Sequence, residues 1–285
     1  MASAALTHSP ARRRHRNVIP GFGIAFGYTL TYLGLIVLIP LGVLVLKSSA
    51  IGFDGFAKVL GDPRIRHALY VSFGTSLAAA ATASFFGLLV AWVLVRYRFP
   101  GRQIADAIVD LPFALPTAVA GIALATLYGP QGWIGSLFET RIAFTPIGIY
   151  LALVFVALPF AVRTVQPLIE EIDRELEEAA ATLGSSRFQT LWKVVLPPLV
   201  PGLLTGFVLS FSRAVGEYGS VIFIAGNQAF VSEIAPLLIV MKLDELEKDY
   251  QGATAIAVAM LAISFVALLL INLIQAYARR RFGHV

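Results

Sequence analysis

Residues 170–197 read EEIDRELEEAAATLGSSRFQTLWKVVLP, a polar interval in a chain that is otherwise strongly apolar. Leu176, Ala179 or Ala180, and Leu183 recur at helical spacing, and Arg174, Glu175, Glu177 and Glu178 fill the other faces. That pattern predicts a short amphipathic helix. Gly184 is positioned to stop it in a left-handed conformation. Ser186 and Gln189 then carry the spacing of a capping box, in which a hydroxyl and an amide side chain satisfy free backbone donors of a new helix. The second helix runs through Leu191-Trp192-Lys193-Val194-Val195 and meets Pro197-Pro198, a pair suited to the first turn of a following element. Two short helices meeting at a glycine corner are expected.

Outward from this hairpin the chain is greasy. Of 285 residues, 58% are hydrophobic and 14% charged, against about a quarter charged in soluble domains. The apolar residues come in blocks near the ~20 residues that cross about 30 Å of hydrocarbon. Six spans are expected, at 24–46, 68–95, 104–128, 147–168, 198–225 and 253–276, making an all-α membrane protein with the hairpin between helices four and five. The first run follows Arg12, Arg13, Arg14 and Arg16 and is longer than the ~7–15 residues of a cleavable signal core, so an uncleaved span is expected.

The net charge of +5 does not point to nucleic acid, because the basic residues sit in short clusters beside apolar blocks. Counting Lys and Arg in alternate segments gives 13 against 7, which places both termini in the cytoplasm by the positive-inside rule. The loop 47–67, with Lys47, Lys58, Arg64 and Arg66, runs against the trend, and the loop 226–252 is acid-rich around Asp244, Glu245, Glu247 and Asp249. Pro112, Pro116 and Pro159 fall inside spans, where each removes a helix hydrogen bond. The absence of Cys excludes disulfides, thiol catalysis and cysteine-ligated metals.

Small alanines on an exposed helix let another protein's backbone approach, and an acidic face is unsuited to lying on anionic lipid. Glu178-Ala179-Ala180, Gly184 and Val194-Val195-Leu196-Pro197 resemble the EAA loop of ABC-importer permeases, with Val194 where Ile is usual. The resemblance implies a permease domain over 21–280, between a basic tail at 1–20 and a short tail at 281–285. It implies that 170–197 is a coupling segment seated in a cleft of a cytoplasmic ATPase, with Glu178, Ala179, Ala180, Gly184, Leu196 and Pro197 as its motif residues.

Two basic residues, Arg163 and Arg213, fall inside spans, where a charge must be paired or wet. Arg163 lies near the end of span four and can snorkel to the interface. Arg213 is about 15 residues past Pro198, on the order of 22 Å into the membrane. Glu217 follows at i+4, on the same helical face. A structural salt bridge and a gate or path role both fit that pair. Tyr218 and Ser220, with Gly216 and Gly219, offer hydroxyls and amides to a transient oxyanion rather than a tight site.

The run from Phe211 to Asn227, FSRAVGEYGSVIFIAGN, resembles the sulfate and molybdate branch of these permeases. Leu115 to Gly121 (LPTAVAG), Gly132-Trp133-Ile134-Gly135, Val231 to Val240 (VSEIAPLLIV) and Gly252 to Ala257 (GATAIA) resemble the T-type subunit of the sulfate and thiosulfate importer. The resemblance implies pairing with a related W-type permease, an ATPase dimer that binds ATP and Mg, and a periplasmic sulfate-binding protein. Molybdate or tungstate is the rival cargo. A secondary anion transporter is the rival of another class, but it ordinarily shows paired broken helices or inverted repeats. No G-x-x-x-x-G-K-[ST] loop is present, and His8, His15, His67 and His284 all lie outside the spans and form no ligand pair, so neither a resident ATPase nor an enzymatic site is expected.

Overall fold

The computed structural model describes residues 21–244 and 248–282. The basic tail 1–20, Glu245 and Glu247 of the acid-rich loop, and the residues past 282 lie outside the described residues. All regular structure among the described residues is helical. The chain divides into two compact units, Met1–Lys47 and Ser48–Val285.

The described part of the first unit belongs to helix α1, Phe22–Ser49. Its middle opens into a π turn over Gly34–Leu38, in which the Ile39 N–H donates five residues back to the Gly34 carbonyl. Pro40 follows immediately. A proline ring collides with the carbonyl four residues earlier, and the wider turn relieves that clash.

The second unit holds α2 (Gly52–Gly61), α3 (Pro63–Arg96), α4 (Arg102–Val109), α5 (Leu111–Ala114), α6 (Thr117–Tyr128), α7 (Pro146–Glu171) and α8 (Arg174–Thr182). After these come α9 (Arg187–Val215), α10 (Val221–Ile224), α11 (Ala235–Leu243) and α12 (Tyr250–Phe282). Helices α1, α3, α7, α9 and α12 are long and apolar enough to cross a membrane. The expected third span, 104–128, is not one continuous helix: it is the broken series α4, α5 and α6. The breaks fall where the prolines predict. Pro112 sits in the first turn of α5, and Leu115, the residue before Pro116, is extended at φ −86°, ψ 134°, because the proline ring bars it from helical geometry. The expected fifth span also differs, since α9 starts eleven residues earlier, at Arg187, and ends at Val215.

Helices α3, α7 and α9 pack together as the centre of the unit. Their contact is a seam of small residues, the arrangement that lets membrane helices approach closely. Ala83, Ala157 and Ala161 are fully buried together. A Cβ added to Gly87 of α3 would stand 2.7 Å from the Ala161 Cβ and 3.2 Å from the Val162 nitrogen, and Gly206 of α9 faces the Ala161 backbone from the other side. Ser210 in α9 donates to the Ala157 carbonyl at 3.1 Å, closing the seam with a buried polar contact. Gly87→Leu should therefore separate α3 from α7 at a cost of about 1–3 kcal/mol, read as a lower unfolding midpoint of the detergent-solubilised protein; an unchanged midpoint would refute the tight approach.

Helix α12 packs on α9 and α11. Its start is capped by Asp249, whose carboxylate accepts from the Gly252 N–H at 2.8 Å and from Lys242 Nζ at 2.8 Å. Lys242 and then the Gly252 amide hold the Asp249 carboxyl below its ordinary range. A depressed carboxyl pKa contributes stability above the unfolded value and loses it as pH falls through the folded one. Asp249→Asn should accordingly lower the unfolding midpoint at neutral pH, and the gap from wild type should close on acidification below about pH 4. A pH-independent gap would assign the difference to something other than the charge.

Candidate functional site

The hairpin has the two-helix form read from the sequence. Leu183 ends α8, and Gly184, at φ +83°, turns the chain. The Gly184 N–H bonds the Ala181 carbonyl at 3.0 Å and the Ser185 N–H bonds the Ala180 carbonyl at 3.0 Å. This is the paired closure in which a left-handed residue satisfies the last carbonyls of a helix. Ser186 and Gln189 form the reciprocal capping box that begins α9. A second π turn, Leu191–Val195, follows, with the Leu196 N–H donating to the Leu191 carbonyl just before Pro197.

Of the motif residues, Glu178, Ala179 and Gly184 are exposed, Leu196 and Pro197 are half-buried, and Ala180 is turned inward and buried. Ala179 and Ala181, not the whole alanine run, form the small exposed surface. Around it stand the exposed Leu176, Leu183, Phe188 and Trp192, the two rings 5.9 Å apart.

The Arg213 cluster lies where α9 ends. The Glu217 N–H bonds the Ala214 carbonyl at 3.1 Å, so the chain turns at Gly216 and brings the Glu217 carboxylate back beside Arg213. Glu217 Oε2 pairs with Arg213 Nη1. Glu217 Oε1 accepts from the Ser220 N–H at 2.8 Å and from the Ser220 hydroxyl at 3.0 Å. Glu217 is 3% exposed and Ser220 is fully buried. Both carboxylate oxygens are engaged, as a buried charge requires. Tyr218 is half-buried and packs against the buried cluster that includes Val71, Ile149, Leu153 and Ala214. Arg213 keeps about a third of its side chain accessible, 32%. A small cavity beside the carboxylate is lined by Ser72, Thr75, Ser76 and Glu217 among others, so α3 hydroxyls share this region, which sequence reading did not anticipate.

Two runs far apart in sequence meet here. A Cβ on Gly121 of α6 would overlap the Ser220 carbonyl, and one on Gly219 would overlap the Thr117 hydroxyl. The LPTAVAG segment is thus seated against the EYGS turn.

The partners of three further cations went unread. Arg163 is clamped by Asp110 (Nε to Oδ1 2.8 Å, Nη2 to Oδ2 2.6 Å), Asp106 (Nη1 to Oδ1 2.7 Å) and Gln166 (Nη1 to Oε1 2.6 Å). It bolts the broken series α4–α5 to α7, which explains why a cation is tolerated there. Arg64, from the loop that ran against the charge trend, grips Glu233 through Nε at 2.8 Å and Nη2 at 2.6 Å, with Glu233 1% exposed. Ser72 Oγ accepts from the Ala235 N–H at 2.8 Å alongside, so the start of α11 is tied twice to α3. Arg96 donates to the Ile172 carbonyl at 3.0 Å and pairs with Glu177 at 3.0 Å. Cations at span ends were visible in the sequence; their partners were not.

Residues 83–284 match the family described as binding-protein-dependent transport system inner membrane component. A sulfate transport system permease protein CysT of Synechocystis is 47% identical over 276 residues, covering 95% of this chain and 96% of the relative. The CysT protein of Escherichia coli is 45% identical, covering 94% and 98%. The fold is similar to that of a bacterial alginate ABC transporter crystallised with an alginate-bound periplasmic protein, with a TM-score of 0.74 at 18% identity over 92% of this chain and 95% of that one. The split third span, the hairpin ahead of α9 and the small-residue seam are thus features of a chain that belongs to the family of binding-protein-dependent inner-membrane transport components.

Proposed function

We propose that this chain is one of the two membrane-spanning subunits of an ATP-driven sulfate importer, with thiosulfate as a second cargo. What carries the reading is identity near half over almost the whole length of curated sulfate permeases. Orientation follows from the Lys and Arg asymmetry, which puts both termini and the hairpin in the cytoplasm.

In this reading the hairpin docks on the ATPase dimer. Ala179 gives close approach, Glu178 presents a carboxylate, and Gly184 sets the corner; Ala180, Leu196 and Pro197 seat the hairpin on its own helices. ATP and Mg belong to the partner, since this sequence has no phosphate loop. The chain performs no catalysis itself. A W-type permease completes the path, and a periplasmic sulfate-binding protein delivers the anion. Arg213 offers the cationic donor to the passing oxyanion. Glu217 and Ser220 hold that guanidinium and moderate its charge, and Tyr218 packs behind them, so the anion is attracted without being trapped.

The test is radiolabelled sulfate uptake in cells lacking only this chain, complemented with the intact gene, with thiosulfate and molybdate as competitors. Restored uptake blocked by thiosulfate supports the reading. Restored molybdate uptake without sulfate uptake would move the cargo to the larger oxyanion.

A further inference from the structure

The hairpin's chain connections run to α7, which ends at Glu171, and to α9, which it begins. A third attachment is not covalent. Arg96 is the last residue of α3 and its side chain is only 10% exposed. It donates Nη2 to the carbonyl of Ile172, the residue between α7 and α8, at 3.0 Å. It pairs with Glu177 of α8 at 3.0 Å, and its guanidinium lies 5.4 Å from the centroid of the Trp92 ring one turn back. Glu177 sits beside the exposed Glu178, but its own side chain is half-buried and reaches back to Arg96. Trp92 packs in turn against the core formed by Leu94, Val165, Ile169 and Val195, residues of α3, α7 and α9.

We propose that Arg96 is a positioning residue that transmits displacement of the hairpin to α3; this rests on the docking reading above. Without it the hairpin would pull on α7 and α9 alone, and α3 would follow only through the apolar seam. The pair also has bonding capacity in reserve. Glu177 Oε1 is within ion-pairing distance of Arg96 but out of hydrogen-bonding line, and Arg96 Nε has no acceptor among the described residues. A small movement of α8 can align them, so the link tightens or slackens as the hairpin moves. Arginine suits the task because its planar fork serves a carbonyl, a carboxylate and an aromatic face at once.

The test uses the whole complex, with ATPase, partner permease and binding protein, in proteoliposomes. The readout is sulfate moved per ATP hydrolysed, with co-purification of the ATPase measured in parallel. Arg96→Ala should retain the ATPase and lower that ratio by about tenfold, the scale of a lost hydrogen bond to a charged group. Glu177→Gln, on the surface helix where misfolding is not at issue, should lower it less, since the Ile172 and Trp92 contacts persist. Exchanging the two residues, Arg96→Glu with Glu177→Arg, should recover part of the loss. An unchanged ratio in Arg96→Ala overturns the proposal, as does loss of the ATPase from that variant, which would assign Arg96 to docking. Glu178→Lys serves as control: if it keeps both ATPase and uptake, the docking reading fails independently, and a wild-type complex that moves no sulfate fails the proposed function.

Discussion

Arg213→Ala is expected to damage the protein more than removing Arg213 and Glu217 together. The single change leaves a carboxylate that is 3% exposed without its cation, and breaking a buried pair this way costs about 3–5 kcal/mol. The double change Arg213→Ala with Glu217→Ala removes the stranded charge as well. It still orphans the Ser220 N–H and hydroxyl, which lose Glu217 Oε1, at a cost of about 1–3 kcal/mol. Unfolding midpoints of the four corners of the cycle, measured in detergent, should give a coupling energy of a few kcal/mol. Additive losses would mean that the two residues act independently. Glu217→Gln separates the duties: its amide oxygen can still accept from Ser220, so stability should suffer less than transport if the charge on Arg213 must be moderated during passage.

The second large effect is expected at the hairpin corner. Gly184 sits at φ +83° and its N–H bonds the Ala181 carbonyl. Proline can satisfy neither requirement, being fixed near φ −65° without an N–H. Gly184→Pro should therefore re-aim α8 relative to α9 while leaving every span in the membrane, and ATPase co-purification and sulfate uptake should fall at least about tenfold, as for loss of one strong contact. Gly184→Ala should be milder, at the cost of about 1–2 kcal/mol for a left-handed non-glycine residue. Glu178→Lys reverses charge on an exposed side chain without touching the fold, and should lose the ATPase to a similar degree. Normal ATPase co-purification and uptake in Glu178→Lys, or in Gly184→Pro, would end the docking assignment.

What could be read from the chain in advance follows the range of the interactions. The hairpin was legible because its determinants are local: Gly184 bonds three residues back and Ser185 five back, and Ser186 and Gln189 satisfy each other. The apolar spans were legible for the same reason. The break in the third span was hidden because apolar composition does not distinguish one helix from three, although Pro112 and Pro116 marked the places. Arg64 looked like an exception to a charge rule until Glu233, 169 residues away, came against it. Arg163 was read as snorkelling because its clamps, Asp106 in α4 and Asp110 between α4 and α5, are more than 50 residues away. At the end of α9, periodicity found the Arg213–Glu217 pair but not the burial of Ser220 or its seat on Gly121, both products of tertiary packing.

The π turn at Leu191–Val195 sets an angular phase. It carries one more residue than an α turn, so it fixes the azimuth at which α9 leaves the hairpin and enters its long apolar stretch. Deleting a single residue there would change no span's length or composition appreciably, yet would rotate everything before it by about 100° about the helix axis. The face bearing Ala179 and Glu178 would then address a different quadrant, and a chain that inserts normally would be deaf to its motor.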